Sequence, residues 1–124
     1  MTDTTNHAAQ QAKAQIESIQ DMLRRYGEDP DNVEMEINND PLEVSVRSSW
    51  TMPGQPLLAE EFRILLCTGG PAVQIIGDLD ENGSVLPDYV YIQYQDWGTP
   101  WTNYPVGYEE RQALADYASF FFPR

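Results

Sequence analysis

The stretch Phe62-Arg-Ile-Leu-Leu-Cys67-Thr-Gly-Gly-Pro71-Ala-Val-Gln-Ile-Ile-Gly-Asp-Leu79 decides how this chain folds. Two apolar runs, each too short for a buried helix, flank Thr68-Gly69-Gly70-Pro71, a cluster that reverses the backbone, so the stretch reads as two strands about a tight turn. Asp80-Glu81-Asn82-Gly83 is a second hairpin signal. It leads into a long strand predicted over Val85 to Gln95, where Val90, Ile92 and Tyr94 alternate with Tyr89, Tyr91 and Gln93. Upstream, Val33, Met35 and Ile37 alternate with Glu34 and Glu36, and Leu42, Val44 and Val46 alternate with Glu43, Ser45 and Arg47. That period of two predicts another pair of strands, joined through Asn38-Asn39-Asp40-Pro41. Pro53-Gly54-Gln55-Pro56 marks a loop, and Leu58 to Phe62 is read as a short helical turn.

The period changes at both ends of the chain. Ala12, Ile16, Ile19, Leu23 and Tyr26 fall on one face of a helix predicted over His7 to Tyr26, with Lys13, Glu17, Gln20 and Arg24 on the wet side. Thr4, Thr5 or Asn6 would cap its start, Arg24 and Arg25 suit its C-terminal dipole, and Gly27 ends it. Glu109 to Phe122 reads as a second helix that buries Leu114, Tyr117, Ala118 and Phe121. Strands grouped between helices imply an α+β fold, an antiparallel sheet of about five strands bracketed by an N-terminal and a C-terminal helix. The expected organisation is one domain over 1–124, with residues 1–6 as a frayed tail.

Charge narrows the function. The 124 residues hold 20 Asp and Glu against 7 Lys and Arg, a formal charge of −13. Phosphate recognition needs cations to displace counterions, so no direct nucleic-acid ligand is expected. One cysteine, Cys67, excludes an intramolecular disulfide, and with one histidine, His7, the chain cannot supply the four ligands of a structural zinc site. No cofactor, export signal or membrane span is expected, and the expected compartment is the cytoplasm of a bacterial host.

Four features carry candidate chemistry. Asp78-Leu79-Asp80-Glu81-Asn82-Gly83 has the opening pattern of a calcium loop, with Asp78, Asp80 and Asn82 as ligands, but Tyr89 stands where the closing bidentate glutamate belongs, so a solvated turn is the main reading. Thr68-Gly69-Gly70-Pro71 lacks the Lys-Ser/Thr of a phosphate loop and reads as a reversal. Trp97 and Trp101 lie within five residues of a broken segment, where they either pack over the sheet edge or form a recognition surface. Finally, Glu28, Asp29, Asp31, Glu34, Glu36, Asp40 and Glu43 place seven acids and no base in 16 residues, more than half of the net charge. On the predicted strand, Glu34 and Glu36 would share a sheet face about 6.6 Å apart at ~3.3 Å rise per residue. Such a rigid array would imitate phosphates; the plainer reading is a solvated face.

The segment from Phe62 through Thr68-Gly-Gly-Pro71 to Gln93-Tyr-Gln-Asp-Trp-Gly-Thr-Pro-Trp-Thr102, with the aromatic tail Tyr117 to Phe122, resembles a group of short acidic proteins carried by bacteriophages and other mobile elements. The resemblance covers roughly the C-terminal half. It implies a setting in which small acidic proteins inhibit host defence, as anti-CRISPR and anti-restriction proteins do by DNA mimicry, and it transfers no site residue. The expected function is therefore a protein-binding inhibitor without catalytic residues. Glu34, Glu36, Asp40 and Glu43 would face a basic, nucleic-acid-binding host protein, and Trp97 and Trp101 would anchor the contact. The alternative is an assembly protein acting through homo-oligomerisation, and both monomer and homodimer are open. An enzyme would need Asp78 with Asp80, or Asp96 beside Trp97, as an acid–base pair, which nothing in the spacing demands.

Overall fold

Alternating apolar residues on three central strands set the architecture. The computed structural model describes residues 4–122 and contains α1 (Thr4–Tyr26), α2 (Pro30–Asn38), β1 (Glu43–Arg47), β2 (Glu61–Cys67), β3 (Ala72–Asp78), β4 (Tyr91–Gln95), β5 (Thr102–Asn103) and α3 (Tyr108–Ser119). The strands form one antiparallel sheet in sequential order β1-β2-β3-β4-β5, so the fold is α+β as its sequence implies. Ile64, Ile75 and Ile92 pair across β2, β3 and β4. With Phe62, Leu66 and Val73 they form the apolar inner face, all buried.

The helical layer covers this face. α1 packs on β3, β4 and α3, burying Ala8, Ala12, Ile16, Ile19 and Met22, while α3 buries Leu114, Ala115, Tyr117 and Ala118. Glu110 reaches back to accept the Gly107 N–H at 2.8 Å and so closes the start of α3. The aromatic tail then folds inward. Phe120 packs edge-on against Tyr26 at 5.2 Å, and Phe122 lies 5.1 Å from Phe62.

Several sequence expectations are corrected. Residues 33–37 belong to α2, not to a strand: Val33 and Ile37, four apart, are buried together, whereas Met35 is exposed. Three apolar residues at alternate positions always contain an i, i+4 pair, and Pro30 in the first turn of α2 with Asn39 at its end selects the helix. The fifth strand is instead the two-residue β5. The long strand expected over 85–95 is interrupted: Val85 makes an isolated bridge to Leu79, Pro87–Tyr89 form a 3-10 turn, and pairing resumes only at Tyr91. Pro87 has no N–H to give to a ladder. Leu58 to Glu60 have no regular structure, and β2 begins at Glu61 rather than after a helical turn. Of the expected frayed tail, residues from Thr4 on are helical; residues 1–3, and the caps proposed at Thr4, Thr5 and Asn6, lie outside what is described.

Two glycine sites are demanded by geometry. Gly69 and Gly70 take φ of +94° and +154° in the β2–β3 turn, a region closed to most side chains. Gly77 lies opposite Phe62 on the inner face, and a Cβ there would stand 2.6 Å from the phenyl ring. Phe62 is itself buried and has little room to yield. Gly77→Ala is therefore expected to cost about 1–3 kcal/mol of stability, measured as a lower urea midpoint at unchanged m-value. An unchanged midpoint would show that the ring moves freely.

Candidate functional site

The acidic run does not form a flat array. Glu34 and Glu36, two apart on α2, project in different directions. Glu36 is taken up by Arg25, whose guanidinium makes two hydrogen bonds of 2.9 Å to its carboxylate and one of 2.8 Å to Asp21. Arg24 adds a further ion pair to Asp21. The Arg25 guanidinium holds the carboxyls of Glu36 and Asp21 below their usual range. Asp40 accepts a 2.6 Å hydrogen bond from the hydroxyl of Tyr117, which is fully buried in α3; burial first, and the Asp40 hydrogen bond and charge second, push the phenol far up. Glu43, at the start of β1, lies 3.6 Å from Arg63. Of the four acids expected to bind a partner, three are thus held by other side chains. The acids most open to a partner are Glu28, Asp29, Asp31 and Glu34, all exposed, with Asp31 and Glu34 on one side of α2.

The tryptophans lie elsewhere. α2 packs on α1 in the helical layer, whereas Trp101 closes over the opposite, outer face of the sheet, so Glu34, Glu36 and Asp40 are not brought together with Trp97 and Trp101. The β4–β5 loop is tied by its own hydrogen bonds: Gln95 Nε2 donates to the Thr99 carbonyl at 2.8 Å, and the Trp97 N–H donates to the Asp96 carboxylate at 2.8 Å. This loop leaves Trp97 79% exposed and brings half-buried Trp101 against the sheet.

Two hollows result on the outer face. One, of about 480 Å³, is lined by Ser45, Arg47, Glu61, Arg63, Gln74 and Trp101 among others, and a second, of about 310 Å³, reaches Trp97. Arg63, Gln74 and Trp101 border both. The cations come with carboxylates: Arg47 pairs with Glu61 at 2.7 Å and Arg63 with Glu43. Beneath them runs an amide ladder, in which Gln74 Nε2 donates to Gln93 Oε1 at 2.8 Å and Gln93 Nε2 donates to Asn103 Oδ1 at 2.9 Å. Gln74 is 5% exposed, and its Oε1 is buried with no partner. Turning all three amides over only exchanges an orphan acceptor for an orphan donor. A polar atom left in that state costs about 1–3 kcal/mol.

The remaining candidates are structural. Asp80 accepts the N–H groups of Asn82 and Ser84 at 2.8 and 2.9 Å, which closes the 80–83 turn, while Asp78 at the end of β3 is exposed. Among the described residues no three His, Cys, Asp or Glu side chains are grouped to hold a metal. Cys67 ends β2 half-buried, and burial pushes its thiol up, away from the thiolate a nucleophile needs. No described helix is long and apolar enough to cross a membrane.

Compared with known proteins, the chain matches no family model, no curated protein and no solved structure. The site therefore rests on its own geometry. Sequence reading singled out Trp97 and Trp101 but missed Gln74, Gln93 and Arg63. The available signal was polar residues at alternate positions of apolar strands, which mark an outer face but not its cover.

Two outcomes follow from these contacts. Replacing Gln74 by Leu should leave stability within about 1 kcal/mol of wild type in urea unfolding, because removing the orphaned acceptor offsets the donor taken from half-buried Gln93; a loss above about 2 kcal/mol would assign it a purely structural role. Because Arg25 depresses the carboxyls of Glu36 and Asp21, its hold on α2 is present above the ordinary carboxylate range and fades as pH falls through their lowered values. The protection factors of the α2 amides, their exchange relative to the intrinsic rate at each pH, should fall on acidification below about pH 4. In Arg25→Gln those protection factors should already be lower than in wild type at pH 7.

Proposed function

We propose that the chain works by binding another protein, as an acidic inhibitor or adaptor directed at a basic, nucleic-acid-binding partner. The observation that carries this is the Trp97–Trp101 groove with the orphaned Gln74 amide at its floor. Exposed Trp97 and half-buried Trp101 beside an unsatisfied buried acceptor are the arrangement of an interface anchor, on which a partner's guanidinium stacks and, once the cover of Gln74 shifts, donates to its amide oxygen. The net charge of −13 favours a cationic partner, and Glu28, Asp29, Asp31 and Glu34, on the face opposite the groove, add to the long-range field that draws it in. This field is helical, so the phosphate-like sheet array is not part of the proposal. The resemblance to mobile-element proteins suggests a defence protein of the bacterial host as the partner.

The test compares two variants in capture from bacterial lysate at low and high salt, followed by kinetics on the recovered protein. Neutralising the field with Glu28→Gln, Asp29→Asn, Asp31→Asn and Glu34→Gln should slow association about tenfold or more and flatten its salt dependence. Trp101→Ala should chiefly accelerate dissociation. Folded variants that bind as tightly as wild type would overturn the reading.

A further inference from the structure

β1 is an edge strand, and no described helix makes more than marginal contact with it. It pairs with β2 on one side only. Its inward-facing residues, Val44 and Val46, sit opposite the buried Ile64 and Phe62 yet are 38% and 50% exposed. A free edge of this kind with apolar side chains beside it is a template for another strand. What distinguishes β1 is its sequence, Glu43-Val-Ser-Val-Arg47.

We propose that β1 pairs antiparallel with β1 of a second copy of this chain, about a two-fold axis through Ser45, to give a continuous ten-stranded sheet. In that register Glu43 faces the second copy's Arg47, Val44 faces its Val46, and Ser45 faces Ser45, so both charge pairs and both valine pairs are complementary. Backbone phase agrees. The Arg47 carbonyl accepts the Glu60 N–H at 3.0 Å and so points toward β2; by alternation Glu43 and Ser45 also point toward β2, while Val44 and Val46 turn their N–H and C=O groups to the free edge. Those groups on the two copies meet in pairs, giving four backbone hydrogen bonds. On the outer face the existing pairs, Arg63 with Glu43 and Arg47 with Glu61, join through the new contact into a row of alternating sign: Arg63, Glu43, then Arg47 and Glu61 of the second copy. On the inner face four valines close on one another. Charge complementarity commits the edge to a copy of itself.

The experiment measures mass by sedimentation equilibrium, with circular dichroism to confirm folding. Wild type is expected to dimerise. Glu43→Arg alone sets Arg against Arg in the proposed register, and Arg47→Glu alone sets Glu against Glu, so each should weaken dimerisation at least tenfold. Mixed in equal amounts, the two variants restore opposite charges at both positions and should form a heterodimer. That rescue is a result no general loss of stability produces. A wild type that stays monomeric at several hundred micromolar, variants that dimerise as well as wild type, or a mixture that stays monomeric would each overturn the proposal. The groove reading is tested separately, since Trp101→Ala should leave the dimer intact.

Discussion

Of the three helices only α1 and α3 pack extensively on the sheet, and two helices cannot cover five strands. Helices pack 8–10 Å apart, while strands repeat every 4.7–4.9 Å, so a pair of helices shields about four strands. α1 lies over β3 and β4 and α3 over β4, Phe122 beyond α3 packs on Phe62 of β2, and neither helix makes more than marginal contact with β1. The apolar inner row thus runs unbroken through Ile64, Ile75 and Ile92 but continues into half-exposed Val44 at the edge. Most of what is unusual about the surface follows from this mismatch. Among the described residues, eight of the eleven exposed large hydrophobics, from Met35 to Leu58, lie on α2, on β1 or in the segments on either side of β1, including Trp50 and Met52 in the long β1–β2 connection.

The outer face of the sheet has no helical cover, and its centre is nevertheless dry. Trp101 folds back from the β4–β5 loop over Gln74, giving a polar floor beneath an aromatic wall. Here a buried amide is only half satisfied, although most buried polar groups find partners. Core residues such as Ile64 and Ile92 meet their packing and pairing needs together. Gln74 does not, and that local conflict is the type expected where a site has been fitted to something outside the chain.

Legibility in the sequence followed the length and uniqueness of each pattern. The stripe on α1 spans about four turns, and Ala12, Ile16 and Ile19 are buried as the spacing marked, whereas Leu23 and Tyr26 are only partly buried and the unmarked Ala8 and Met22 complete the buried face. Val33, Met35 and Ile37 satisfy both a strand and a helix, and what decides between them is contact with α1, which lies outside any local window. The same ambiguity carried the acidic run onto a sheet face it does not occupy. The fates of Glu36 and Asp40 were equally hidden: the first is claimed by Arg25, 11 residues away, and the second by Tyr117, 77 residues away.

By itself the sequence determined the α+β class, the β2–β3 hairpin, the helices at either end and the charge of −13, because composition, period and turn chemistry are local properties. Tertiary structure alone decided which acids remain free, that Trp101 shelters Gln74, and that β1 ends the sheet uncovered. Those outcomes depend on where distant segments meet in space, on how far two helices can reach across a sheet, and on which polar groups find partners once they are buried.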